Sequence, residues 1–374
     1  MLGTVVLRSA ARRSPVSVLV TVILLVAPVA LAFDVVRATY GAHHFADFGI
    51  FYDAGRAVLH GRSPYPEATV RALRHQNQFV YPAFSAVVLA PLALLPLELA
   101  ATILLGCSLL ALLASLWLCG VRDWRCAAAA LLSLAVAQGI VLGTITPLLV
   151  LAVAAAWRWR ERPWVVAAAL AGAIVAKVFL APLLVWLLLT RRYAAAARTV
   201  LLSAVIGLGS WAVIGFAGLS GYPHLLSVLS RVEQTHGYST VALCLRLGLG
   251  AAAGRAAAVA LAAVLVLAAA RLRGRTDGDA RVLGLVMLAC LAISPIVWLN
   301  YLMLVIPPLA VLRPRLSPAW LTLIAVWLFA NGNSVAPAWK VIAWHLDLTA
   351  LALVFAGVAV GGVLRGRAGR PQPA

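Results

Sequence analysis

Charged residues are scarce in this chain of 374 residues, at 11%, and acidic ones are scarcest, with eleven Asp and Glu against thirty Lys and Arg. Soluble domains carry about 25% charged residues, so the scarcity excludes a soluble globular protein. Hydrophobic residues make up 64% of the chain. They form apolar runs, and a membrane-spanning helix needs about 20 such residues. The composition therefore predicts an all-α, polytopic integral membrane protein of about 12 transmembrane helices.

Other sequence features that are missing narrow the range of possible functions. The five cysteines follow neither a disulfide pattern nor metal-ligand spacing, so we expect core thiols and no metal site. No nucleotide-binding motif is found. The net charge of +19 would suggest nucleic acid in a soluble protein. Here the basic residues are clustered arginines, which mark cytoplasmic loops of membrane proteins, so no nucleic-acid partner is expected.

The arginine clusters predict a topology for a single transmembrane domain covering residues 1–374. Both ends are expected in the cytoplasm, with residues 34–80 as the first extracytoplasmic loop and residues 365–374 as a basic cytoplasmic tail. Single spans are predicted over residues 15–33, 97–119, 195–217, 251–270, 319–330 and 348–364.

Three further apolar segments are flanked by arginine at both ends: residues 126–157, 163–190 and 282–312. One pass would leave a basic cluster outside, so each segment is predicted to go out and return. Each helix then has about 14–16 residues, fewer than the roughly 17–25 of an ordinary span. Irregular backbone at that depth requires protein or a watery cavity around it. We therefore expect three hairpins whose polar tips meet in a recessed, outward-facing cavity.

Two cations stand out in this topology. Lys177, one of two lysines in the chain, lies at the centre of the second hairpin. A lysine there can snorkel to the interface or bind an anionic group, phosphate above all. Arg246 lies outside by the predicted topology and breaks the positive-inside pattern. Two outward cations near a cavity suggest a lipid phosphate.

The first loop adds acidic and aromatic residues. Phe45, Phe48 and Phe51 follow helical spacing, which predicts a short amphipathic helix on the outer surface. It places Asp47 and Asp53 near the expected cavity. The alternative is a solvated loop with helix caps and exposed ion pairs.

Short motifs from about residue 40 to 310 resemble those of glycosyltransferase family 87 in their order and spacing. They are Asp47-Phe48-Gly49-Ile50-Phe51-Tyr52, Gly61-Arg62-Ser63-Pro64-Tyr65, Tyr81-Pro82-Ala83-Phe84, Ala176-Lys177 with Pro182, and Ser294-Pro295-Ile296-Val297-Trp298. The chain departs from the family at two tips. Gly143-Thr144 stands where the family often has Gly-Gln, and Asn300 stands where a His usually follows the last motif.

The resemblance implies a GT-C-like transferase in the plasma membrane, with its active site facing the extracytoplasmic side. It would move a sugar, with mannose expected, from a polyprenyl-phosphate donor to a lipid-linked or envelope glycan, without a cofactor. Asp47 would be the catalytic base, and Lys177 and Arg246 would bind the donor phosphate. The sugar and acceptor would lie against four further residues: Tyr52, Tyr81, Trp298 and Asn300.

Two other functions stay open on the sequence. A transporter or flippase for lipid-linked sugars would also need an outward cavity and cations, although no two-fold hydropathy repeat is evident. A non-catalytic binder of such lipids is the other, because Asn300 cannot titrate as the usual His does.

Overall fold

The computed structural model describes residues 45–74, 78–275, 277–328 and 336–357, together with Val26, Ala30 and Phe33. The predicted span 15–33 and the predicted tail 365–374 therefore lie largely or wholly outside the described residues. Within the described residues, all regular secondary structure is helical. The predicted all-α class is confirmed.

Four of the described helices are long and apolar enough to cross a membrane: Leu97–Leu118, Tyr193–Val213, Gly250–Leu272 and Ala338–Ala356. The first three coincide, within a few residues, with predicted spans. The fourth begins well before the predicted start at residue 348. Its polar His345 is accommodated because a ring nitrogen lies 2.8 Å from the Val341 carbonyl oxygen of the same helix.

The remaining helical segments are shorter. The α-helices are Ala46–Leu59, Val70–Leu73, Ala83–Leu89, Trp124–Leu132, Leu134–Val141, Thr146–Arg158, Pro163–Ala176, Leu183–Leu189, Tyr222–Glu233, Thr240–Arg246, Gly278–Ile293, Ile306–Leu312 and Leu321–Ala325. The 3-10 segments are Ala90–Leu94, Val178–Leu180, Leu299–Val305, Pro318–Trp320 and Val326–Leu328. The predicted span 319–330 is thus a series of short pieces where it is described.

Seven α-helices occupy the three segments predicted as hairpins. The first hairpin rises through Trp124–Leu132 and Leu134–Val141, which are bent by 62°, and returns as Thr146–Arg158. The second rises as Pro163–Ala176 and ends in Leu183–Leu189. The third rises as Gly278–Ile293 and ends in Ile306–Leu312.

Charged side chains tie the feet of the hairpins together. Arg192, just after the second hairpin, donates to Glu161, just before it, at 2.6 Å. Arg192 also donates to Asp279, at the foot of the third hairpin, at 2.7 Å. Asp123, at the foot of the first, accepts from the Leu316 backbone N–H beyond the third at 3.0 Å. Since both ends of the second hairpin meet, the chain turns back within that segment.

The predicted amphipathic helix is present as Ala46–Leu59, here called the loop helix. The sequence predicts that its aromatic face lies on the outer surface, whereas in the structure Phe48 and Phe51 of that face are buried. Phe48 and Phe51 are both 0% exposed. Phe48 packs in a cluster with Leu104, and the Phe51 ring lies 4.6 Å from that of Tyr81. Burial of large aromatic rings therefore fixes the loop helix against the protein.

Candidate active site

The tips of the three hairpins meet at the side chain of Thr146. Lys177, from the second tip, donates from Nζ to Thr146 Oγ1 at 3.5 Å. Asn300, from the third tip, donates from Nδ2 to the same oxygen at 3.5 Å. Thr146 itself begins the returning helix of the first hairpin and is 0% exposed. Residues far apart in the chain thus form one polar cluster, as the tip prediction requires.

Local backbone rules explain how two of the tips present these side chains. Lys177 has extended dihedral angles, φ −142° and ψ 99°, and ends the helix Pro163–Ala176. Ser294 precedes Pro295, which disfavours helical angles. It accordingly ends the helix Gly278–Ile293 with φ −65° and ψ 126°. The helix is therefore broken just before Lys177 at one tip and a few residues before Asn300 at the other.

The ammonium of Lys177 is buried among aromatic rings. Lys177 is 5% exposed, and its Nζ lies 4.0 Å from the ring centroid of Tyr301 and 5.7 Å from that of Tyr81. Cation–π contacts of this kind partly offset the loss of water. Among the described residues its one hydrogen bond is the long one to Thr146, although an ammonium has three donors. The side chain is thus equipped to bind an anion.

Asp47 lies on the first turn of the loop helix. The helix start is fixed to the first hairpin, because the backbone N–H groups of Phe45 and Phe48 donate to the carbonyls of Val141 at 2.7 Å and Leu142 at 3.1 Å. Asp47 is half-buried. Desolvation raises the pKa of its carboxyl to about 6, and the charge of Lys177 keeps that pKa from rising further.

Asp47 and Lys177 interact through their charges without a direct ion pair, and the Asp47 carboxylate has no hydrogen-bond partner in the described part of the chain. Buried opposite charges normally close into an ion pair, because an unpaired charge is costly away from water. The carboxylate and the ammonium are thus not neutralised by direct contact, and both can interact with a polar ligand.

A second polar patch borders the cluster. Asn300 is 3% exposed and Thr144 is 1% exposed. Neither Asn300 Oδ1 nor Thr144 Oγ1 has a hydrogen-bond partner among the residues that the structure describes. Gly139 approaches both residues, since a Cβ there would lie 3.2 Å from Thr144 Oγ1 and 3.5 Å from the Asn300 Cβ, but it would overlap Met303 Cε, which fills the space beside Gly139. The two side-chain oxygens without a partner suit the hydroxyl groups of a ligand.

The structure does not bring three of the predicted site residues into this cluster. The Tyr52 hydroxyl donates to the Leu95 carbonyl at 2.7 Å, which anchors the loop helix. Arg246 donates to the backbone carbonyls of Ala336, at 2.8 Å, and Thr235, and it makes no ion pair or hydrogen bond with Asp47 or Lys177. Trp298 is half-buried against the core. The cluster therefore contains Asp47, Lys177, Tyr81 and Asn300 from the predicted set.

Two residues of the cluster were not predicted as site residues, namely Thr146 and Tyr301. Thr146 lies in the polar first tip, between Ile145 and Pro147, and Tyr301 follows Asn300 directly. Tip position was the available signal for both. A hydroxyl group or an aromatic ring does not by itself show which tip residue reaches the cluster. The packing of all three hairpins decides which tip residues turn inward.

Among the described residues, no group of three or more His, Cys, Asp or Glu side chains is placed to hold a metal ion.

The comparisons with known proteins bear on this site. A model of glycosyltransferase family 87 matches residues 79–295, which is more than half of the chain. The chain belongs to glycosyltransferase family 87. It is accordingly a membrane glycosyltransferase, and the predicted family resemblance is confirmed. The match includes Tyr81, Thr146 and Lys177, whereas Asp47 precedes it and Asn300 follows it. No curated protein and no solved structure matches the chain.

Gly143 gives a first prediction for this transferase. It has φ +70°, and a Cβ there would lie 2.6 Å from the Phe48 Cβ of the loop helix. Gly143→Ala should therefore push Asp47 away from Lys177, and a misplacement of that kind costs about 100-fold in rate. Gly120 has φ +85° but nothing within 4 Å of such a Cβ. Sugar transfer and thermal unfolding should be measured for both variants. Equal losses in Gly120→Ala would show that backbone strain alone, and not the Phe48 contact, is responsible.

Proposed function

We propose that this transferase moves a sugar, with mannose the expected one, from a polyprenyl-phosphate donor to a hydroxyl of a lipid-linked or envelope glycan. The reaction would take place on the extracytoplasmic side of the plasma membrane. The observation that carries the proposal is the buried Lys177 ammonium, with one long hydrogen bond, separated from the half-buried Asp47 carboxylate. This arrangement suits an anionic leaving group beside a base.

The chemistry follows from this pair. Asp47 takes the proton of the acceptor hydroxyl, and the acceptor oxygen forms a bond to the anomeric carbon of the sugar. The bond from that carbon to the phosphate oxygen breaks, and polyprenyl phosphate leaves with the electron pair. Lys177 stabilises the negative charge that develops on the departing phosphate. No nucleotide is needed, because the donor lipid carries the activated sugar.

The sugar itself would be held by the residues around the pair. In the described part of the chain, neither the Tyr81 nor the Tyr301 hydroxyl has a hydrogen-bond partner, and both rings border Lys177. Among the described residues, Asn300 Oδ1 and Thr144 Oγ1 also have no hydrogen-bond partner, and Asn300 donates to Thr146. Hydroxyl and amide groups of this kind match the hydroxyls of a sugar. Asn300 would then orient substrate and not exchange protons.

The direct test is transfer from radiolabelled polyprenyl-phosphate sugars into membrane lipids, with and without this protein. Label should move from donor to a new lipid or glycan, most efficiently from the mannose donor. Movement of intact donor across the membrane without a new product would indicate a flippase. Donor binding with neither movement nor product would indicate a non-catalytic binder.

The proposal includes about 12 transmembrane helices with both ends in the cytoplasm, each hairpin contributing two short ones. Thiol labelling checks it. After the native cysteines are replaced, Ser63→Cys should react with an impermeant reagent added outside intact cells, and Ser317→Cys should not. Labelling at position 317 would place the loop after the third hairpin outside and overturn the orientation.

The pH dependence of transfer follows from Asp47. With its pKa raised to about 6, the carboxyl is protonated at lower pH and cannot accept the acceptor's proton. The ratio kcat/KM should therefore rise as the pH is raised through about 6, because its acid limb reports the base in the free enzyme. An ordinary carboxyl would keep activity down to about pH 4. A profile that stays flat down to pH 4.5 would contradict a desolvated Asp47 as the base.

A further inference from the structure

A cavity of about 490 Å³ lies at the foot of the third hairpin, away from the tips. It is lined by Leu272, Gly274, Arg275, Arg281, Ala356 and Gly357. Two of these residues are arginines and none is acidic. The cavity lies between the end of the helix Gly250–Leu272, the start of Gly278–Ile293 and the end of Ala338–Ala356.

The two arginines have little to neutralise them. The Arg275 guanidinium has no hydrogen bond or ion pair within the described part of the chain, and that of Arg281 donates to one neutral acceptor, the Phe355 carbonyl, at 3.3 Å. The nearby Asp279 is committed to Arg192 at 2.7 Å. Asp277 is exposed and does not line the cavity. The cavity therefore presents two guanidinium groups, whose planar donors match phosphate oxygens.

The backbone builds this arrangement. The turn after the helix Gly250–Leu272 is closed by hydrogen bonds from Arg275 N to the Leu272 carbonyl at 3.2 Å and from Gly278 N to the Arg275 carbonyl at 2.8 Å. Gly357 has φ +79°, and a Cβ there would overlap the Arg281 guanidinium. Arg275 is thus held at the cavity by its turn, and the absence of a side chain at 357 gives Arg281 its place.

Two helices that end at the cavity carry exposed apolar side chains. On the helix Gly250–Leu272, Val264 is 60% exposed and Leu267 is 57% exposed, and Leu353 on the neighbouring helix is 39% exposed. In a helix long enough to cross a membrane, such residues face lipid chains. A ligand that combines a phosphate with acyl chains would therefore satisfy both the cavity and the surface next to it.

We propose that this cavity binds the phosphate of an anionic phospholipid headgroup, with the acyl chains along the helix Gly250–Leu272. Basic pockets between transmembrane helices on the cytoplasmic side bind anionic headgroups in this way. The site is separate from Asp47 and Lys177, so it does not depend on the sugar-transfer proposal.

The test is native mass spectrometry of the full chain in detergent, titrated with phosphatidylglycerol or with phosphatidylcholine of the same acyl chains. The variants are Arg275→Gln and Arg281→Gln. Arg273→Gln is the matched control, because Arg273 lies in the same turn, is exposed and does not line the cavity. The exposed Arg275 side chain makes no hydrogen bond or ion pair with other described residues, so Arg275→Gln keeps the test valid if Arg281→Gln fails to fold.

Phosphatidylglycerol should bind more tightly than phosphatidylcholine. Its binding should weaken roughly tenfold in Arg275→Gln and Arg281→Gln, as for the loss of a charged hydrogen bond, and remain unchanged in Arg273→Gln. Equal binding of the two lipids, or equal loss in all three variants, would overturn the proposal. Displacement of phosphatidylglycerol by equimolar inorganic phosphate would also overturn it, because the site would then recognise a free anion and not a lipid.

Discussion

Asp47→Asn should abolish sugar transfer while leaving the protein folded and able to bind its donor. An amide cannot take the proton of the acceptor hydroxyl, and loss of a general base typically costs 10²- to 10⁴-fold in rate. The fold should survive because the Asp47 carboxylate makes no hydrogen bond within the described part of the chain, and the loop helix is held by Phe48, which is 0% exposed. Initial transfer rates and donor affinity should be measured on the same membranes.

The donor affinity of Asp47→Asn is the more telling quantity. The carboxylate of Asp47 repels a donor phosphate bound at Lys177, so its removal should leave donor affinity unchanged or stronger. Asp53→Asn is the matched control, since Asp53 lies on the same loop helix but is exposed. Wild-type turnover in Asp47→Asn, or an equal loss in Asp53→Asn, would remove Asp47 from the mechanism.

Much of the helical architecture could be predicted because the membrane leaves few alternatives. Backbone groups in lipid must be paired within helices, and arginine clusters mark cytoplasmic ends. These two constraints were enough to locate the helices Leu97–Leu118, Tyr193–Val213 and Gly250–Leu272. They do not locate the start of the helix Ala338–Ala356, because polar residues near a helix start are also typical of a loop. Inside a protein, a residue such as His345 is satisfied by the helix itself.

The site was predictable only in part, for a related reason. The predicted depth of Lys177 in the membrane indicates a functional residue, because a charged side chain there is energetically costly. Charge alone also singled out Arg246, but its guanidinium is used to hold backbone carbonyls at Ala336 and Thr235. Hydropathy does not distinguish a cation that is available to bind a ligand from one whose hydrogen bonds connect two segments of the chain. That difference depends on contacts between residues distant in the chain.

Thr146 is a cluster residue that the sequence alone does not identify. A threonine at a hairpin tip has no charge and no unusual spacing, yet Thr146 accepts hydrogen bonds from both Lys177 and Asn300. Its role exists only once three hairpins are packed with their tips together. The same packing brings Tyr301 over the Lys177 ammonium, which its place in the sequence did not indicate.

Lys177→Met should weaken donor binding by about 1.5–3 kcal/mol, the range for a lost charged hydrogen bond. This corresponds to roughly 10- to 150-fold in affinity, since about 1.4 kcal/mol is tenfold. Methionine keeps an unbranched stem between the rings of Tyr81 and Tyr301, so the packing should persist. Lys177→Arg retains the charge in a different shape and should recover part of the loss. Binding is measured by titration with unlabelled polyprenyl-phosphate sugar.

The pH profile of the same variant supplies an independent check. The charge of Lys177 lowers the pKa of Asp47, so its removal should move the acid limb of any residual transfer above pH 6. The other lysine of the chain gives the matched control. Lys340 lies 5.4 Å from the ring of Trp339 on the helix Ala338–Ala356, and Lys340→Met should change neither donor affinity nor the acid limb. Unaltered donor affinity in Lys177→Met would refute the phosphate role, and an unmoved acid limb would refute the coupling to Asp47.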